Sequence, residues 1–184
     1  MVYNSSTFDD THFSDSDITA AQALNPYNVQ TYPSNLSNFT GTHKGKLLIF
    51  HGQQDEKITS FSTERFYNHL ASGMELHSSQ IDDFLRYFRI SGMSHCSSGP
   101  GAWMIGQSGP GSMSFYPETN VLAAMVQWVE EGIAPDTILG MKFVNDSAAK
   151  GLERSRRHCR FPYRNTYIGG NASLQRSWEC MLYE

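Results

Sequence analysis

The chain opens without a sustained apolar period. Over residues 1–43, Asp9, Asp10, Asp15 and Asp17, then Asn25-Pro26 and Tyr32-Pro33, punctuate a stretch that reads as an irregular connecting segment. Regular structure is predicted to begin after residue 43, and residues 44–184 read as one domain. Lys46-Leu47-Leu48-Ile49-Phe50-His51 is a short, mostly apolar run stopped by Gly52, the pattern of a strand buried on both faces of a parallel sheet. From Ser60 to Ala71, a helix places Phe66, Tyr67, Leu70 and Ala71 on one face, with Gly73 as its stop. Phe84 to Ile90 predicts a second strand, although Arg86 and Arg89 interrupt its alternation. Pro117 is predicted to open a helix ending near Gly132. Its stripe of Leu122, Met125, Val126, Val129 and Ile133 is expected to face the core, widened by Trp128. A short strand is expected over residues 138–144, followed by an irregular tail over 145–184. Strands alternating with helices argue for an α/β sheet. Two or three strands cannot cover themselves, so the pattern reads as part of a sheet.

Composition narrows the class. The 184 residues are 39% hydrophobic and 17% charged with a net charge of −4, which excludes a chain too polar to fold. Arg154, Arg156, Arg157, His158 and Arg160 form the one basic cluster and read as a solvated loop, so nucleic acid is not an expected partner. No apolar stretch reaches the roughly 18 residues of a membrane span, and the polar, acidic N-terminus is not a signal peptide. Yet sequons stand at Asn4, Asn35, Asn38, Asn145 and Asn171, against roughly two expected by chance. Their excess points to a secreted glycoprotein with something missing upstream. Cysteine arithmetic points the same way. Cys159 and Cys180 can pair with each other, which leaves Cys96 to an inert buried thiol or to a partner elsewhere.

The chemistry-bearing residues gather at predicted strand ends, where open α/β sheets place their sites. His51, Gly52 and Asp55 follow the first strand; His95 and Cys96 follow the second. An aspartate on one loop can accept the Nδ1–H of a histidine on the next and leave Nε2 as a general base. The order acid-then-histidine is that of a hydrolase triad whose serine comes first. No G-x-S-x-G elbow occurs; Gly106-Gln107-Ser108-Gly109 and Gly111-Ser112 come nearest, and both follow His95. A zinc site is not expected, because no C-x-x-C or H-x-x-x-H cluster accompanies His95 and Cys96. His51 reads as a hydrogen-bonded structural histidine. His12, His43, His69, His77 and His158 read as surface groups, Asp82 and Asp83 as a solvated turn, and the loop from Ser97 to Ser114 as a substrate-facing wall.

Two segments carry a resemblance. Lys46-Leu47-Leu48-Ile49-Phe50-His51-Gly52-Gln53-Gln54-Asp55 resembles the catalytic-acid segment of fungal tannases and feruloyl esterases. Gly92-Met93-Ser94-His95-Cys96-Ser97-Ser98-Gly99-Pro100-Gly101-Ala102-Trp103 is similar to their catalytic-histidine segment, and the likeness continues through His158-Cys159-Arg160-Phe161-Pro162. The histidine–cysteine motif is the specific part; HG-x-x-D is common among α/β-hydrolases. The resemblance implies the C-terminal part of an α/β-hydrolase fold: a partial, mostly parallel sheet with flanking helices and a tail that Cys159 and Cys180 would close. It implies Asp55 as acid, His95 as base, and Cys96 as one half of a disulfide to a cysteine outside this chain, just before the nucleophilic serine. Aromatic esters, hydroxycinnamates or gallates, are then the expected substrates. A disulfide-linked N-terminal chain carrying the serine is an expected partner, although the initial Met also fits a truncated gene model. No cofactor is expected on this segment, since the family's calcium site would lie in an absent lid domain. The isolated chain is expected to be inactive, and a non-enzymatic remnant or glycoprotein module is the alternative.

Overall fold

The computed structural model describes residues 3, 5–28, 32–107 and 114–182. It divides into two compact units, Met1–Pro33 and Ser34–Glu184. In the first unit, helix α1 (Asp15–Leu24) corrects the expectation of an irregular opening. Its start is set locally by a capping box, in which the Ser14 side chain meets the Asp17 backbone and Asp17 reaches back to the Ser14 N–H. Apolar periodicity misses this helix because it buries no residue.

In the second unit, strands β1 (Leu47–Gly52) and β2 (Leu85–Ile90) pair in parallel with Leu47 opposite Leu85 and Gly52 opposite Ile90. Helix α2 (Phe61–Gly73) and the single turn α3 (Ser78–Ile81) form the crossover. Alternate side chains feed two cores. Leu48, Phe50, Phe88 and Ile90 pack with Met93, Trp103, Ile105, Val121 and Ile138. Leu47, Ile49, Leu85 and Tyr87 pack with Tyr67, Leu70, Ile81 and Phe161. Burial on both faces explains why β1 reads as a continuous apolar run. Both arginines that interrupt β2 have partners. Arg86 lies over the Trp128 ring and donates to the Pro135 carbonyl, while Arg89 stacks on Phe161 and meets Glu64. Asp82 is no solvated turn: its largely buried carboxylate pairs with Arg86 and Arg160.

Helix α4 (Val121–Glu131) starts later than expected. Asn120 caps it, its side chain accepting from the Leu122 and Ala123 amides. Its buried face is Val121, Ala123, Ala124 and Trp128. Leu122 and Val129 are 61% and 60% exposed, and Val126 and Ile133 are also exposed, so the anticipated core stripe faces outward.

The tail is not irregular either. Strand β3 (Thr137–Phe143) pairs antiparallel with β4 (Leu152–Cys159), and β5 (Tyr163–Tyr167) pairs antiparallel with β6 (Trp178–Leu182). The basic cluster is therefore mostly strand, and Arg156 lies over the Trp178 ring. Phe161 N–H donates to Tyr87 O, which joins the tail to β2. Cys159 and Cys180 form a disulfide between β4 and β6. The predicted wall from Ser97 to Ser114 is partly core, because Ala102 to Ile105 are buried and Met104 bridges to Met141. Its residues 108–113, including Ser108 and Ser112, lie outside the described residues.

His158 corrects the surface reading. It is buried, and Nε2 lies 2.8 Å from the Ala102 carbonyl. Burial lowers its pKa from 6.5 to about 4. The folded state thus favours the neutral ring. The stability this confers is complete above the unfolded value and is lost as pH falls from 6.5 toward 4. Urea unfolding is expected to show about 2 kcal/mol less stability at pH 5 than at pH 7.5. A His158→Gln variant, which keeps an N–H donor but cannot titrate, is expected to lose most of that pH dependence.

Candidate active site

The site is built where the two parallel strands end. The ladder continues into the loops, with Gln53 N–H donating to Ile90 O at 3.0 Å and Gln54 N–H to Met93 O at 3.0 Å. These bonds clasp the loop after β1 to the loop after β2. Gly52 is required at this crossing. A Cβ there would stand 2.3 Å from both the Met93 and Ser94 carbonyl oxygens. The side chain immediately after that contact is His95.

Asp55 and His95, forty positions apart, meet across these loops: His95 Nδ1 is 2.9 Å from Asp55 Oδ2. The other carboxylate oxygen accepts the Lys57 and Ile58 backbone N–H groups, both at 2.8 Å. The Asp55 side chain is 2% exposed and that of His95 is 41% exposed. Burial alone would raise the carboxyl pKa. The Ile58 amide, the His95 imidazole and the Lys57 amide together outweigh it and hold Asp55 well below the usual carboxylate range. Asp55 therefore stays ionised and acceptor-only, which selects the Nδ1–H tautomer of His95. Nε2 is left as a base on a solvent-facing ring. Among the described residues, no side chain hydrogen-bonds to it.

The histidine loop is laced in place by groups that carry no local sequence signal. Cys96 and Ser98 adopt left-handed backbone angles, and Ser94 N–H closes onto Ser98 O. Gln107 Nε2 donates to the Cys96 and Trp103 carbonyls, and Lys142 Nζ donates to the Gly99 carbonyl. Lys142 also pairs with Asp146, which accepts from Trp103 Nε1. Sequence reasoning misses Lys142 because the Gly99 carbonyl it holds is 43 positions away, and Gln107 because its contacts depend on how the loop folds back on itself. Cys96 is exposed and its thiol is free. His51 is buried at the end of β1 with Nδ1 2.7 Å from Thr63 Oγ1. Among the described residues, no group of three or more His, Cys, Asp or Glu side chains could hold a metal ion.

The chain resembles known proteins in sequence and in fold. Residues 2–181 match the family described as tannase and feruloyl esterase. The chain is 54% identical over 164 residues to a probable feruloyl esterase B-2 of Aspergillus flavus, covering 88% of this chain and 31% of that protein. It is 46% identical over 183 residues to a probable feruloyl esterase B of Aspergillus clavatus, covering 98% and 34%. Among solved structures, an esterase from Aspergillus oryzae superposes with a TM-score of 0.92 at 43% identity, covering 98% of this chain and 36% of that one. Feruloyl esterase B from the same species gives 0.89 at 40% identity, covering 98% and 35%. The chain thus spans about a third of the length of these relatives. With the match running through nearly all its residues, the chain belongs to the tannase and feruloyl esterase family.

Proposed function

We propose that this chain supplies the acid and the base of a carboxylic ester hydrolase whose nucleophilic serine lies on a segment beyond these residues. The observation that carries this reading is the 2.9 Å contact between Asp55 and the Nδ1 of His95, with no side chain among the described residues bonded to the other ring nitrogen. In the assembled enzyme, His95 Nε2 takes the serine proton as the hydroxyl attacks the ester carbonyl. The imidazolium, stabilised by Asp55, then returns the proton to the departing alcohol. Water, deprotonated by the same nitrogen, releases the acid from the acyl-serine. The relatives' names favour feruloyl or related aromatic esters as substrates.

The complementary segment has features to dock on. Among the described strands, β1 pairs only with β2, so its other edge is open. The apolar residues Leu122, Val126 and Val129 stand exposed on α4. These are the faces that a partial α/β-hydrolase sheet would present to its missing strands and helices. Cys96, next to the base, is exposed with a free thiol, which supports a disulfide to that segment. The sequons at Asn35, Asn38, Asn145 and Asn171 are exposed, which fits a secreted glycoprotein.

The test is to assay a feruloyl ester with this chain alone and with the chain joined to the N-terminal two-thirds of the Aspergillus flavus relative. Hydrolysis is expected only in the joined protein. A joined protein that folds, carries the relative's serine and remains inert contradicts the reading and favours a non-enzymatic module.

A further inference from the structure

The sequence offers a second imidazole in the acid segment, and the fold buries it against the carboxylate. His51 is the penultimate residue of β1 and 7% exposed. Its Nε2 stands 3.2 Å from Asp55 Oδ2, the same oxygen that receives His95. That nitrogen is out of reach of solvent and, among the described residues, has no aligned hydrogen-bond partner, so its approach to Asp55 is a close electrostatic contact. On the far side of the ring, Nδ1 lies 2.7 Å from the Thr63 hydroxyl on α2.

The proton on this ring can be placed by elimination. Were it on Nδ1, a bare Nε2 lone pair would face an ionised carboxylate in a buried site, which is repulsive. With the Thr63 hydroxyl donating to Nδ1, the proton sits on Nε2, the edge of the ring that faces Asp55. We propose that His51 is a positioning residue for the Asp55–His95 couple, its Nε2–H edge set electrostatically against the Oδ2 that receives His95 and its tautomer fixed by Thr63. Asp55 is then held from three directions: by β1 through His51, by its own turn through the Lys57 and Ile58 amides, and by the histidine loop through His95. A carboxylate so held cannot rotate away from the base, the kind of support that keeps a catalytic group in productive geometry. His51 touches no reacting atom in this scheme, and its catalytic value rests on the esterase reading above.

The experiment reads the rings directly. In this chain labelled with ¹⁵N-histidine, long-range ¹H–¹⁵N spectra at neutral pH are expected to show His51 as the Nε2–H tautomer and His95 as the Nδ1–H tautomer. His51→Leu removes the polar N–H edge set against Oδ2 and is expected to move the His95 Nδ1 proton downfield. His51→Gln restores a donor and is expected to return it toward the wild-type position. Thr63→Val, which leaves His51 in place, is expected to abolish the single tautomer of His51, while Thr63→Ser retains it. If His51→Leu does not fold, the Thr63 pair decides alone. An Nδ1–H tautomer for His51, or a Thr63→Val spectrum with the tautomer unchanged, overturns the proposal, as does an unmoved His95 proton in a folded His51→Leu. None of these readouts needs an ester or a serine, so the esterase reading can fail with this one intact, and the reverse.

Discussion

Asp55→Asn in the joined protein is expected to lower kcat for a feruloyl ester by about 10⁴-fold while leaving the fold in place. The asparagine oxygen can still accept the Lys57 and Ile58 amides, so the turn survives. Its NH₂ group must then face His95 Nδ1 where Oδ2 stood. A donor meeting a donor forces the imidazole into the other tautomer and puts the proton on the nitrogen that should act as base. KM is expected to change little, because the lost interaction matters most once the ring is protonated. Steady-state kinetics alongside circular dichroism check this. A loss below tenfold in a well-folded variant would mean that the Asp55–His95 contact is structural.

Gly52→Ala is expected to cost about 3 kcal/mol of stability and to disconnect the site. The obstruction is backbone, not a flexible side chain. The new methyl would lie 2.3 Å from the Met93 and Ser94 oxygens, so the histidine loop must lift away from β1. That movement also strains the Gln54 N–H to Met93 O bond, which clasps the loops together. Gly132 provides the control. It has a left-handed φ of 76°, but a methyl group there would meet nothing within 4 Å. Gly132→Ala should therefore cost only the conformational penalty of about 1 kcal/mol. Denaturant unfolding separates the two variants. The His95 Nδ1 proton signal should vanish or shift in Gly52→Ala alone.

What could be read from the sequence follows from how local each signal is. The run from Leu47 to Phe50 announces β1 because both faces of that strand are buried by nearby chain. Asp55 and His95 were legible because strand ends in a parallel pair deliver their loops to the same side. The α4 stripe misled for a physical reason. Periodicity reveals which residues are apolar but not which surface exists to cover them; the smaller Ala123–Ala124–Trp128 face found the core, and Leu122 and Val129 remain outside. The tail strands escaped notice because Arg154, Arg156 and Arg157 break the alternation in β4. The compensations, such as Trp178 beneath Arg156 and the Cys159–Cys180 bond, are tertiary. His158 looked like one of several surface histidines, since the Ala102 carbonyl that holds it is 56 positions away. Thr63, Gln107 and Lys142 share that character: ordinary residue types whose roles exist only through contacts made by the folded chain.

The esterase reading requires that His95 activate a serine that another segment brings to it. The most direct measurement is covalent labelling of the joined protein with a phosphonylating reagent specific for activated serines, read by intact mass. One adduct is expected on the N-terminal segment's serine, with labelling slowed by orders of magnitude in His95→Ala. Equal labelling rates with and without the His95 imidazole would contradict that role.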